Sequence, residues 1–90
     1  MREELSRQTH LVVNQVSHWT SARWGSRGDE LYQVIQRIAS PRKVPRLNDV
    51  VLPDQLRVVV ADLLETGDDA RIAAACEALA GFRGTLKASR

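Results

Sequence analysis

Ninety residues with 43% hydrophobic and only 4% aromatic side chains make one domain whose small core is built from Leu, Val, Ile and Ala, which favours helices over a β-sandwich. The single cysteine, Cys76, excludes an internal disulfide framework, and no window reaches the roughly eighteen consecutive apolar residues of a membrane span. A net charge of +2 with interspersed acids and bases excludes a globally basic, nucleic-acid-coating chain.

The opening MREELSRQTH is charged and polar where a signal peptide needs an apolar run, so the protein is expected in the cytoplasm. Eleven arginines against two lysines, with abundant Ala, Val and Leu, reflect the codon bias of a GC-rich bacterial genome. In the first predicted helix Leu5, Val12, Val16 and Trp19 share a stripe, while Leu11 and Val13 fall outside it. That helix is expected to be touched on two sides. The segment SHWTSARWGSRGDE follows, with Trp19 on the stripe and expected in the core. Trp24 either caps the core or, with Arg23 and Arg27 beside it, anchors a protein partner, because Trp and Arg dominate interface energetics.

A second helix begins after GSRGD, capped by Asp29 or Ser26, and buries Leu31, Val34, Ile35 and Ile38. It stops at Ser40, since Pro41 disfavours helical geometry in the residue before it. The linker from 40 to 52 carries Pro41 and Pro45 and is expected to run extended over the surface. Within it, Arg42, Lys43 and Arg46 are three cations on a stiffened backbone, the candidate anion contact. The third helix runs from about Pro53, suited to a first helical position, to Thr66, with Leu56, Val59, Val60, Leu63 and Leu64 on its face and Val58 off it. Gly67 is expected to be its left-handed cap. Asp68 then caps a fourth helix carrying Ile72, Ala75, Cys76, Leu79, Phe82 and Leu86, with fraying or a bend at Gly81 and Gly84. The tight Gly67 connection predicts an antiparallel hairpin in which Leu56, Val60, Leu63 and Leu64 face Ile72, Cys76 and Leu79. The expected architecture is a single all-α domain, residues 1 to 90, folded as a small four-helix bundle.

Two stretches have the outline of nucleic-acid motifs and lack their context. GSRG and GFRG have the Gly-x-x-Gly form of a KH-domain loop, but no strands flank them. The third and fourth helices could form a helix-turn-helix, but after Arg71 the would-be reading helix offers only apolar side chains from Ile72 to Cys76. The catalytic inventory is thin. Cys76 lies mid-helix, far from an N-terminus that could activate it, and reads as a buried small hydrophobe. His10 and His18 are about 80° apart around a helix, with no Cys or carboxylate completing a metal set. No P-loop or dinucleotide fingerprint occurs, so neither enzyme activity nor a cofactor is expected.

The combination of HWTSARW, LYQVIQRIA, VPRL and LPDQLRVVVADLL resembles a group of short actinobacterial helical proteins that pair a Trp-containing linker with this Pro-Asp-Gln-Leu helix start. The resemblance covers about His18 to Leu64. It implies a bacterial, cytoplasmic protein and carries no activity or ligand. The reading that follows is a protein–protein interaction or accessory subunit, with Leu11, Val13, Arg23, Trp24 and Arg27 as partner-binding candidates. A homodimer is expected from the apolar Leu11, Val13 and Val58, which a single monomer core would leave uncovered. The reading from another class is a nucleic-acid-binding regulator using the basic loops.

Overall fold

The computed structural model describes residues 1–88, and among them the regular structure is entirely helical. Helix α1 (Arg2–Val16) opens with Glu3 and Glu4 at the positive end of its dipole. Its buried residues are Leu5, Gln8, Thr9, Val12, Val13 and Val16, so two adjacent positions face inward on successive turns. The buried stripe is therefore wider than one residue per turn, and Val13, expected outside it, is core at 2% exposure; Leu11 is half-buried at its border. The two polar members of the stripe are satisfied. Thr9 Oγ1 donates to the Leu5 carbonyl at 2.8 Å, and Gln8 donates to Glu4 (2.8 Å) while accepting from Arg83 (3.0 Å). The Gln8 hydrogen bond, then Arg7, hold the Glu4 carboxyl below its ordinary value.

After Ser17 the chain makes one helical turn, α2 (Ser21–Trp24), and Gly25 reverses it with φ +46°, a region that favours glycine. Helix α3 (Arg27–Ala39) buries Gly28, Leu31, Ile35, Ile38 and Ala39. It ends where Pro41 forbids continuation, with Ser40 extended at φ −49°, ψ 139°. A 3-10 turn (Asp49–Val51) leads into α4 (Leu52–Thr66), with Pro53 in its first turn and Leu52, Pro53, Leu56, Val59, Val60 and Leu63 buried. Val58 points out at 65% exposure.

Gly67 is not a left-handed cap: it has φ −82°, ψ 153°, and its N–H still bonds the Leu63 carbonyl at 2.7 Å before the chain straightens. Glycine is required there by space. A Cβ would sit 2.6 Å from the Leu63 carbonyl oxygen and overlap its Cδ1. Asp68 then caps α5 (Asp69–Ala88), accepting from the Arg71 amide at 2.8 Å. The helix runs on through Gly81 and Gly84, both of which face open space, with Phe82 and Leu86 buried between and beyond them.

Packing departs from the expected hairpin. Helices α4 and α5 run in opposite directions across the Gly67–Asp68 connection, yet they share little contact, and each packs mainly on α1 and α3. Leu56, Val60 and Leu63 are buried as expected, but the neighbours of α4 are α1 and α3. Arginines tie the helix ends together. Arg2 donates to the Leu64 and Gly67 carbonyls at the end of α4, and Arg71 to the Ile38 (3.3 Å) and Ser40 (3.0 Å) carbonyls at the end of α3. In both cases a cation meets the negative end of a helix dipole and satisfies orphan carbonyls. Among the described residues no helix is long and apolar enough to cross a membrane.

Candidate functional site: a cleft of tryptophan and arginine

Helix α1 ends three residues short of Trp19, whose amide closes a last turn on the Val16 carbonyl (3.0 Å). Thr20 then caps α2, its hydroxyl accepting from the Arg23 amide at 3.3 Å. This one-turn helix decides which tryptophan goes inside. Trp24 points into the core at 1% exposure, whereas Trp19 is half-buried and stands against it edge-on, centroids 4.9 Å apart and planes at 72°. Of the two expectations for Trp24 the core one holds and the partner anchor does not, while Trp19, expected in the core, is only partly buried and packs against its edge. The stripe extrapolated from α1 fails at Trp19 because the helix has already ended.

The Arg23 guanidinium lies 5.4 Å from the Trp19 ring centroid. Arg27, at the start of α3, reaches Glu30 (2.8 Å) and the Thr85 carbonyl (3.2 Å), fastening the far end of α5 to this corner. Between these groups opens a cleft of about 700 Å³ lined by His18, Trp19, Arg23, Trp24, Arg27 and Leu86, among others. None of its described lining residues is acidic. Its chemistry is cationic and aromatic, with Arg27 already held by Glu30 and Arg23 facing the Trp19 ring. The indole Nε1 of Trp24, in its floor, is buried with no protein acceptor.

The arginines divide by partner, and Arg2, Arg71 and Arg83 reach carbonyl or amide oxygens without a carboxylate. Arg7, Arg27, Arg42, Arg46 and Arg57 each hold a carboxylate of this chain, while Arg23 has none among the described residues. Arg37 and Lys43 are also exposed without an acid, but neither faces an aromatic ring.

The basic loop is fastened down. Tyr32 donates to the Val44 carbonyl (2.6 Å), Gln36 donates to the Arg42 carbonyl (2.6 Å) and accepts from the Val44 amide (2.8 Å), and Gln55 donates to the Pro45 carbonyl (3.0 Å). Arg42 pairs with Asp62. Arg46 pairs with Asp49 (2.7 Å) and Asp29 (3.1 Å) and lies 5.5 Å from the Tyr32 ring centroid. The Asp49 hydrogen bond, opposed by burial, holds the Arg46 proton more firmly than usual. Of the three candidate anion contacts only Lys43 lacks an internal carboxylate. Gly28 serves this same node: a Cβ there would lie 2.6 Å from Asp49 Cγ and overlap its Oδ1.

Cys76 is half-buried, more open than expected, because it lies at the edge of the core with its thiol 3.9 Å from the Met1 carbonyl. Burial, then Glu4, push the thiol pKa up, the direction opposite to activation. No group of three His, Cys, Asp or Glu side chains able to hold a metal occurs among the described residues. Sequence reasoning missed Trp19 as the presented ring and Leu86 as its neighbour; the Thr20 cap was the available signal for the first, and none existed for the second. No known protein family, curated protein or solved structure matches this chain.

Proposed function

We propose that this chain is a small protein-interaction domain, an accessory or regulatory subunit built as a four-helix bundle, which binds its partner at the Trp19–Arg23 cleft without catalysing a reaction. Arg23 carries this reading: an exposed guanidinium beside an aromatic ring in the lining of a cleft, with no carboxylate partner among the described residues. Trp and Arg side chains so placed are the usual anchors of protein interfaces. The test is affinity capture from the native cell extract with the parent chain, Arg23→Glu and Lys43→Glu, quantified by mass spectrometry. A partner lost with Arg23→Glu and kept with Lys43→Glu is expected. The reverse pattern would move the working surface to the basic loop and overturn the proposal.

The nucleic-acid reading draws on Arg23, Arg27, Arg42, Lys43 and Arg46, and three of these, Arg27, Arg42 and Arg46, already face Glu30, Asp62, Asp29 and Asp49, so less of their charge is left for a phosphate backbone. Homodimerisation is favoured by one observation, the 65% exposure of Val58 beside the groove between α4 and the 42–45 loop. Val13 no longer supports it, being core. Light scattering is the measurement: a mass near 10.1 kDa at every concentration would exclude the dimer.

A further inference from the structure

The occupant of the cleft follows from its charges and shape. The geometry points to an acidic peptide segment of the partner, one carboxylate on Arg23 and a neighbouring apolar side chain against Trp19; this rests on the interaction reading above. The guanidinium is a planar fork that matches a carboxylate in two parallel hydrogen bonds, and stacking near the Trp19 ring restrains it before the partner arrives. A pre-oriented side chain loses less freedom on binding. No acidic residue among the described lining competes for it, and the nearest charged pair, Arg27 with Glu30, is already closed and also held by the Thr85 carbonyl. The apolar requirement comes from the other walls, the Trp19 ring and Leu86.

The same chemistry argues against a nucleic-acid strand here. A strand needs a track of cations along its backbone, with bases stacked on open aromatic faces. This cleft offers no such track: its second arginine, Arg27, is held by Glu30 and the Thr85 carbonyl, which leaves Arg23 alone without a carboxylate among its described lining residues. A single free cation suits a single carboxylate.

The experiment is an array of random peptides probed with the full chain, followed by titration of the strongest peptide and of single-stranded oligothymidylate. Peptides combining Asp or Glu with an adjacent Leu, Ile or Phe are expected. Arg23→Gln should weaken the best of them about tenfold by loss of a charge-assisted pair, and Arg23→Glu should turn the preference towards basic peptides. Lys43→Glu should change affinity less than twofold. Peptides without acids, weakened by Trp19→Phe but indifferent to Arg23→Gln, would overturn the acidic occupant while leaving the cleft as the interaction site. Peptide binding indifferent to both substitutions, or no peptide binding at all, would overturn both readings. Oligothymidylate bound more tightly than any peptide and weakened by Arg23→Gln would replace the acidic peptide with nucleic acid.

Discussion

Trp24 gives the sharpest test of how the core is built, because its indole is buried in full while its N–H has no acceptor. Replacing it by Phe removes roughly two buried carbons, about 1.6 kcal/mol at about 0.8 kcal/mol per carbon. The same change removes a donor whose unpaired burial costs about 1–3 kcal/mol. The terms oppose each other, so Trp24→Phe should lie within about 1 kcal/mol of the parent in either direction. Trp24→Ala keeps the second gain but loses the whole ring and its edge-on contact with Trp19, and should cost about 3–5 kcal/mol. For a domain of this size about 4–8 °C of melting temperature accompanies each kcal/mol, so the alanine variant should melt at least about 12 °C lower. Urea denaturation followed by far-ultraviolet circular dichroism avoids the lost tryptophan signal. A Trp24→Phe loss above about 2 kcal/mol would mean that the indole N–H is paired in the folded chain, and the reasoning from an orphaned donor would fail.

Leu63, 3% exposed between α4 and its neighbours, should cost about 2–5 kcal/mol on truncation to Ala, and a cooperative melt shifted by less than a degree would remove it from the core. Gly28→Ala gains up to about 1 kcal/mol of helix propensity but drives Asp49 off Arg46, so it should stabilise by less than that gain or destabilise slightly. In an Asp49→Ala background the same change should be stabilising by up to about 1 kcal/mol; equal effects in both backgrounds would sink the proposed clash. Cys76, its thiol pKa raised by burial, favours the neutral form when folded, so its effect on stability is present below the unfolded thiol pKa and lost as pH rises through the folded one. Its alkylation-rate profile against pH should therefore lie above that of the urea-unfolded chain, and a profile displaced to lower pH would contradict the burial argument.

The helices were legible where a local signal coincided with a core stripe. Pro53 opening α4, Pro41 closing α3 and Asp68 capping α5 each act within a few residues of where they stand. A local pattern misleads past its own boundary. The α1 stripe continues in sequence from Val16 to Trp19, although Thr20 marks a new cap. Gly67 suggests a left-handed cap, whereas its reason is the Leu63 carbonyl. A short connection suggests packing, but two residues fix only where α5 starts. Its side chains, Phe82 and Leu86 above all, decide that it lies along α1 and α3.

The site was less legible than the fold because it depends on which charges remain after folding. Along the sequence Arg42, Lys43 and Arg46 form the densest cationic run and Arg23 is one arginine among eleven. Folding brings Asp62 to Arg42 from 20 residues away and Asp29 to Arg46 from 17 away, separations with no periodic signature. Arg23 meets a ring four residues before it and no carboxylate among the described residues. A guanidinium paired within the chain already has part of its charge answered, whereas Arg23 meets no carboxylate among the described residues, so its attraction for an incoming anion is less offset. The densest cationic run in the sequence thus has two of its three charges paired by the fold, whereas the arginine between the two tryptophans faces a ring and no carboxylate among the described residues, which is why the proposed interaction is placed there.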